Sequence, residues 1–288
     1  MTTPSPVPAG AFDAWIGRSE SRRDVLGASP VARMAATLDR ADLAPTEASE
    51  LPPLWHWLYF LPDAPGAELG EDGHPRRGGF LPPITLPRRM WAGSRITFHA
   101  PLHIGEPVER SSRITAVEPR SGKSGPLVFL KLTHHITGPR GLAITEEQDI
   151  VYREAAPPGA PAAAKAPPAP EGASFSRRIT PTATLLFRFS ALTFNAHRIH
   201  YDRDYATRVE GYPALVVHGP LIATLLLDLV SRERPDARVL RFDFKAVSPL
   251  FDDAAFEVCA RDDGAKRLSL WAQNAAGDLA MQAAAELA

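Results

Sequence analysis

Alternating apolar and polar residues in the last third of the chain predict a series of short strands. The run Leu240–Ala246 alternates in this way, so we expect one face of that strand to be buried and the other exposed. Similar runs begin near Ala255, Leu268 and Leu279, and turn sequences such as Asp-Gly separate them. The pattern is typical of an antiparallel meander.

The first half of the chain repeats this arrangement. Strand patterns cover Arg95–Ala100, Val108–Val117 and Leu127–Leu132, and a Gly-Pro-Arg-Gly turn leads into a fourth pattern that begins at Leu142. Two copies of one meander indicate an internal duplication, with one copy in each half.

Each meander needs a helix to cover its apolar face. In the second half Pro220–Val230 is apolar all round except at Thr224 and Asp228, which predicts a helix that is buried on most sides. In the first half, residues 54–61 are the candidate, and residues 12–38 predict one or two amphipathic surface helices ahead of it. A helix wrapped by an antiparallel sheet is the hot-dog fold.

The clearest boundary is the stretch 155–172, in which proline recurs too often for a helix or a central strand. It has little apolar bulk to bury and therefore predicts an extended, semi-rigid linker. We divide the chain into residues 1–154, a hot-dog domain with a helical N-terminal extension, and residues 173–288, a second hot-dog domain. The predicted fold class is α+β, a double hot-dog in which each of two tandem antiparallel sheets wraps a central helix.

Composition argues against several classes of function. A formal net charge of −1 over 288 residues gives no sign of a nucleic-acid or membrane-surface partner. The single cysteine, Cys259, excludes an intramolecular disulfide, and no apolar run reaches the roughly 20 residues that span a bilayer. The N-terminus lacks the basic and apolar regions of a signal peptide, so we expect a soluble cytoplasmic protein.

We expect no metal site. The histidines of the first half lie on predicted strands and turns without the spacing of metal ligands. They are His99, His103, His134 and His135.

The residues that can carry chemistry concentrate in two neighbouring segments of the second half. Phe194–Asp202 contains an amide, imidazoles and a carboxylate, and Leu215–Leu221 contains a His-Gly step at the start of the predicted buried helix. A polar loop that faces the start of a buried helix can bind a thioester carbonyl and aim a water at its alkene. The two segments therefore predict a site for the hydration of an unsaturated thioester.

These segments resemble the signature of the MaoC-like, R-specific enoyl-thioester hydratases, Ser-Gly-Asp-x-Asn-Pro-x-His-x-Asp followed by Ile-x-His-Gly. The corresponding residues here are Thr193, Asn195, His200, Asp202, His218 and Gly219. The sequence of these segments resembles even more closely the branch that contains mesaconyl-C4-CoA (3-methylfumaryl-CoA) hydratases, itaconyl-CoA hydratases and mitochondrial-type 3-hydroxyacyl-thioester dehydratases. Three segments of the first half support this branch: residues 12–18, 72–83 and 86–93.

The resemblance implies a hydro-lyase without a cofactor, in which coenzyme A is only part of the acyl-CoA substrate. The favoured reaction is the addition of water to mesaconyl-C4-CoA to give citramalyl-CoA, or to the related itaconyl-CoA. The resemblance also implies that a first half of the FAS1-like dehydratase type pairs with the MaoC-like second half as two hot-dog subunits would. We expect one active site per chain, and whole chains could pair again as a homodimer.

This chemistry requires an oxyanion site for the enolate and a group that takes a proton from water. Gly219, with His218 beside it, is the candidate oxyanion site, because a backbone N–H at a helix start can point at the thioester oxygen. His200 is the candidate for proton transfer, since imidazole titrates near neutral pH. Asn195 departs from the signature, which has Asp there. An amide can orient a water but accepts no proton, so the base role shifts to His200.

Four further residues are candidates for substrate binding. Arg198 lies inside the signature and could pair with a free carboxylate on the acyl group. Asp202 either contacts the substrate or caps the short helix that follows it. Arg88 and Arg89, with two arginines of the preceding loop, either meet the phosphates of coenzyme A or are solvated surface residues.

Other functions stay open at this point. The same residues suit hydration or dehydration of ordinary fatty acyl thioesters, on coenzyme A or on acyl carrier protein, because they do not reveal the acyl chain or its carrier. Asn195 also leaves open an inactive hot-dog that only binds acyl-CoA. A thioesterase ranks last, because no carboxylate stands at position 195 to activate a water at the carbonyl carbon.

Overall fold

The computed structural model describes residues 7–8, 10–43, 45–122, 125–155 and 165–288. Within these residues ten strands form one continuous antiparallel sheet, in the order β1-β3-β4-β5-β2-β7-β10-β9-β8-β6. The first half contributes β1 (Ser19–Val25), β2 (Arg88–Phe98), β3 (Pro107–Gly122), β4 (Gly125–Gly138) and β5 (Gly141–Arg153). The second half contributes β6 (Phe175–Ile179), β7 (Val239–Ala246), β8 (Phe256–Gly264), β9 (Arg267–Gln273) and β10 (Leu279–Leu287).

The two predicted meanders are joined edge to edge instead of forming separate sheets. Strand β2 pairs with β7 from Gly93↔Lys245 to Thr97↔Arg241. A side chain at Gly93 would overlap the carbonyl of Phe244, so only glycine allows the two strands to approach this closely there. The backbone hydrogen bonds of the sheet therefore continue from the first half of the chain into the second half.

The predicted buried helix of the second half is α3, Gly219–Glu233, and every residue from Leu221 to Val230 is buried. It packs on the inner face of β8, β9 and β10, as the apolar pattern predicts. Its one buried carboxylate, Asp228, receives hydrogen bonds from Arg177 and from Arg40 of the first half, each at 2.7 Å. This buried ion pair ties the helix to the other half of the chain.

Two helix predictions for the first half are wrong. Residues 54–61 form only a short 3-10 turn, Trp55–Leu58, because two prolines precede it and Leu54 has a φ of 70°. Residues 12–38 contain strand β1 as well as a helix, α1 (Ala28–Thr37), since Ser19–Val25 alternates in exposure and pairs with β3. The helix packs against α2 (Ala183–Leu192), which the sequence analysis did not predict.

The predicted linker lies partly outside the described residues, which omit 156–164. Residues 1–6, on which the expectation of no signal peptide depends, also lie outside them. The end of the linker is attached to the second half: Pro167 accepts a hydrogen bond from Leu279 N, and Ala169 N donates to Gly277, both at 2.8 Å. The domain boundaries at 154 and 173 stay a prediction. Among the described residues, none of the helices combines the length and hydropathy needed to span a bilayer.

Candidate active site

The loop after α2 carries the signature residues. The helix ends at Leu192, Phe194 takes a left-handed φ of 48°, and Asn195 N donates to the carbonyl of Ser190 at 2.8 Å. Asn195 Oδ1 then accepts the N–H of His197 at 3.0 Å. This turn fixes the amide so that its Nδ2 is the group left to face a ligand.

The loop, the start of α3 and the first half enclose one cavity of about 2840 Å³. The second half contributes Asn195, His200 and Gly219 to its lining, and the first half contributes His74, Arg88 and Arg89. Most of the sequence-predicted site residues therefore meet at one place, and both halves of the chain contribute to it.

His200 is held as a neutral base. The residue is 7% exposed, and its Nδ1 donates a hydrogen bond of 2.7 Å to the carbonyl of Val216. Because a carbonyl only accepts, the proton of the neutral ring is on Nδ1 and Nε2 carries the lone pair. Burial lowers the pKa of His200 to about 4, so the ring is unprotonated and can accept a proton at neutral pH.

Gly219 and His218 have different roles in this geometry. Gly219 opens α3, its N–H has no hydrogen-bond partner within the described ranges, and a side chain there would meet nothing within 4 Å. An unpaired N–H at a helix start that faces open space can bind an oxyanion. His218 is fully buried, hydrogen-bonds to Ser190 Oγ at 2.8 Å and stacks on His200 with ring centroids 3.6 Å apart. His218 thus braces His200 and does not line the cavity.

Arg198 is placed differently from the prediction, whereas Asp202 takes the helix-capping alternative. The Arg198 guanidinium donates two hydrogen bonds to Asp202 Oδ2, at 2.7 and 3.0 Å, and a third to the Glu71 carbonyl. Asp202 Oδ1 accepts the N–H of Tyr205, which caps the short helix that follows. Neither side chain lines the cavity, so this geometry gives no support to a substrate contact for either residue.

The two arginines at the start of β2 also differ. Arg88 forms an ion pair with Glu210 and donates to the carbonyl of that residue at 3.0 Å. Arg89 is half-buried in the cavity wall, and within the described part of the chain its guanidinium has no ion pair or hydrogen bond. Arg89 is therefore the cation of this pair that is available to a ligand.

Sequence reasoning assigned no role to His74 or His197, which the structure places side by side in the cavity. Their ring centroids are 4.2 Å apart, and His74 Nδ1 hydrogen-bonds to Asp72 Oδ2 at 3.1 Å. The signal was the Asp72-Gly-His74 spacing, in which the carboxylate can reach the imidazole two residues on. Ligand atoms of Asp72, His74 and His197 lie within 4.8 Å of one another, which is close enough to hold a metal ion. Asp72, however, already uses both of its oxygens to accept hydrogen bonds from the N–H and the Nδ1 of His74.

Comparisons with known proteins show the family of this chain. Residues 54–252 match the family described as hydroxyacyl-thioester dehydratase type 2. Mesaconyl-C(4)-CoA hydratase of Chloroflexus aurantiacus is 51% identical to this chain, over 95% of the chain and 97% of the relative. The mitochondrial hydroxyacyl-thioester dehydratase type 2 of Schizosaccharomyces pombe is 29% identical, over 89% of the chain and 93% of that protein.

A solved structure confirms the fold. A protein of Mycobacterium tuberculosis described as a double hotdog superposes with a TM-score of 0.57 at 15% identity, over 95% of this chain and 96% of its own. The predicted double hot-dog is thus confirmed, with its two sheets merged into one. From the match over residues 54–252 and the 51% identity, this chain belongs to the hydroxyacyl-thioester dehydratase type 2 family.

Proposed function

We propose that this protein hydrates mesaconyl-C4-CoA by adding water across the double bond of its enoyl thioester. The 51% identity to mesaconyl-C(4)-CoA hydratase supports the substrate. The observation that carries the chemistry is the shared cavity, in which the unpaired N–H of Gly219 and the unprotonated Nε2 of His200 face the same space.

In this mechanism the thioester oxygen binds at Gly219 N–H, where the helix dipole favours negative charge. A water between His200 and Asn195 attacks the β-carbon as His200 Nε2 accepts its proton. The electron pair of the alkene shifts toward the carbonyl carbon as the carbonyl pair moves onto the thioester oxygen. The resulting enolate takes at its α-carbon the proton that His200 accepted, and the site returns to its starting charge. Asn195 orients the water by donating from Nδ2, because its Oδ1 already binds His197 N.

Arg89 is our candidate for selecting a dicarboxylic acyl group. It takes the role first considered for Arg198, whose guanidinium is occupied by Asp202. A mesaconyl group ends in a free carboxylate, and guanidinium binds carboxylate through two parallel hydrogen bonds. The Arg89 guanidinium in the cavity wall would gain most from such a partner, since none of the described residues pairs with it.

The first test measures turnover of mesaconyl-C4-CoA, itaconyl-CoA, crotonyl-CoA and a long-chain 2-enoyl-CoA, with products identified by mass. We expect the highest kcat/KM with mesaconyl-C4-CoA. Preference for the straight chains would instead favour fatty acyl thioesters, the second candidate, which the relationship to the Schizosaccharomyces pombe dehydratase supports. Binding of every thioester without turnover would identify an inactive acyl-CoA-binding protein.

The second test replaces Arg89 by Ala. We expect kcat/KM for mesaconyl-C4-CoA to fall by roughly 10- to 100-fold, the worth of a charge-assisted hydrogen-bonded pair. The kcat/KM for crotonyl-CoA, which has no second carboxylate, should change by less than about threefold. Arg198→Gln is the matched control, since loss of its bond to Asp202 should affect both substrates alike. Equal losses with both substrates for Arg89→Ala would contradict this role.

A further inference from the structure

Four imidazoles form a row at the site, of which the first three line the cavity and His218 lies buried behind His200. The ring centroids of His74 and His197 are 4.2 Å apart, those of His197 and His200 are 5.5 Å apart, and those of His200 and His218 are 3.6 Å apart. The first ring comes from the first half of the chain and the other three from the second half. Among the described residues, Asp72 is the one carboxylate that hydrogen-bonds to a ring of this row.

The Asp72–His74 pair has the geometry of an oriented base. Asp72 Oδ1 accepts the N–H of His74 at 3.0 Å, and Oδ2 accepts a hydrogen bond from Nδ1 at 3.1 Å. The carboxylate therefore fixes the tautomer, in which Nε2 carries the lone pair. The ring is part of the cavity lining.

Position 195 supplies no acid–base partner for His200, because Asn195 cannot accept or release a proton. Hydration moves a proton twice, from water and then to the α-carbon. His200 accepts the first proton, but none of the described carboxylates hydrogen-bonds to its ring, and Nδ1 binds the carbonyl of Val216. A carboxylate partner favours the protonated form of an imidazole, and among the described residues the ring of this row that has such a partner is His74.

We propose that His74, oriented by Asp72, is the second proton-transfer group of the hydration and replaces the carboxylate missing at position 195. This inference rests on the proposed function. The oxygen of water bonds to the β-carbon, and its proton goes to His200 Nε2 while the π electrons move onto the thioester oxygen. The proton then passes from His200 to His74 Nε2 across the cavity that both rings line. His74 delivers it to the α-carbon, the enolate becomes a thioester again, and each histidine ends neutral.

The charges around His74 suit a proton that rests there only briefly. Burial lowers the pKa of His74, and the nearby charges of Arg89 and Arg77 lower it further, while the hydrogen bond and charge of Asp72 oppose this. Burial also lowers the pKa of His197 to about 2, so the middle ring of the row does not retain a proton. A carboxylate of the substrate at Arg89 would reduce one of the two opposing charges during turnover.

The test compares His74→Gln and Asp72→Asn with the wild-type enzyme. For His74→Gln we expect kcat to fall about 100-fold, the lower range for losing a general acid–base, with KM changed less than about threefold. Asp72→Asn keeps the oxygen that binds His74 N but removes the charge, so kcat should fall and the acid limb of the pH profile should move to lower pH. His99→Gln is the matched control, because His99 is exposed outside the cavity.

Several results would overturn this role. A kcat within about threefold of wild type in His74→Gln, with an unchanged pH profile, would exclude proton transfer by His74. A loss confined to KM would make it a binding group. Loss of wild-type activity in a chelator, restored by a divalent cation, would assign Asp72, His74 and His197 to a metal instead. A wild-type enzyme that hydrates none of the thioesters would refute the proposed function and this inference together, whereas an active wild type isolates the test of His74.

Discussion

At the scale of single residues, the site is arranged around one substitution. Asn195 stands where the related signature has Asp, and its oxygen is already used to hold the N–H of His197. The amide therefore acts as part of the loop and as a donor toward the cavity. His200, with its proton fixed on Nδ1 by the carbonyl of Val216, is left as the proton acceptor of the predicted signature.

This difference predicts unequal effects of two alanine variants. His200→Ala should lower kcat by about 100- to 10,000-fold, because it removes a proton acceptor. Asn195→Ala should cost less, about 10-fold, since it removes one hydrogen bond to a water. Steady-state kinetics with mesaconyl-C4-CoA measure both, and thermal unfolding checks that each variant is folded. Equal losses would argue against His200 as the proton acceptor.

Several of these residues could be predicted from sequence, and the reason is local. Asn195, His200 and Gly219 lie in two short segments whose pattern of polar residues and helix start carries the information. The partners of the arginines could not be predicted, because they depend on distant chain segments. Arg88 meets Glu210, Arg89 meets none among the described residues, and nothing in the spacing separates these neighbours.

At the scale of elements, the loop Gly70–His74 of the first half is clamped to the loop after α2, which carries Asn195 and His200. Arg198 N donates to the carbonyl of Asp72 at 2.9 Å, which joins the two loops. Gly70 N donates to the carbonyl of His74 at 2.8 Å, which closes the first-half loop on itself. Gly73 has a φ of 87°, and a side chain there would overlap the carbonyl of Ala196. The backbone of one half thus sets the position of the reacting loop in the other.

Gly73→Ala should therefore impair catalysis and stability together. The new methyl group must push the two loops apart, so we expect kcat to fall at least 10-fold and unfolding to become easier by about 2 kcal/mol. Gly78→Ala is the matched control: Gly78 also has a positive φ, 96°, but the nearest atom to a side chain would be 3.7 Å away. Its cost should stay near 1 kcal/mol, with activity retained. Kinetics and urea unfolding of both variants provide the measurement, and similar effects of the two would argue against the clamp.

The elements were predicted best where one pattern decides them. Alternation located the strands that build both meanders, and uniform apolarity located α3. Residues 54–61 are just as apolar, but the prolines before them and the backbone of Leu54 limit them to a 3-10 turn. The joining of the sheets through β2 and β7 depends on a close approach at Gly93, which appears only when the chain is folded.

At the scale of the whole molecule, burying the row of imidazoles makes stability depend on pH. Burial lowers the pKa of His200 to about 4 and that of His197 to about 2, against about 6.5 in an unfolded chain. Between these values the unfolded chain binds protons that the folded chain excludes, so acid favours unfolding. Stability should be greatest above pH 6.5 and fall as the pH drops toward 4.

For His200 alone the loss between pH 7 and pH 4 amounts to about 3 kcal/mol. Urea unfolding at several pH values measures it. The slope of unfolding free energy against pH is proportional to the number of protons taken up on unfolding. In this pH range His200→Asn should lower that number by up to one, whatever its effect on stability at pH 7. An unchanged slope would mean that His200 is not buried in its neutral form.

The asymmetry of the site has an evolutionary consequence. When two identical hot-dog subunits pair, every substitution appears at both symmetry-related sites, so a loop that improves one must also be tolerated at the other. In this chain the two halves can change separately. Loop Gly70–His74 and Arg89 could be fitted to a single site without a second copy elsewhere, and the second half could lose a carboxylate at position 195. Fusion of the two halves thus frees each to specialise.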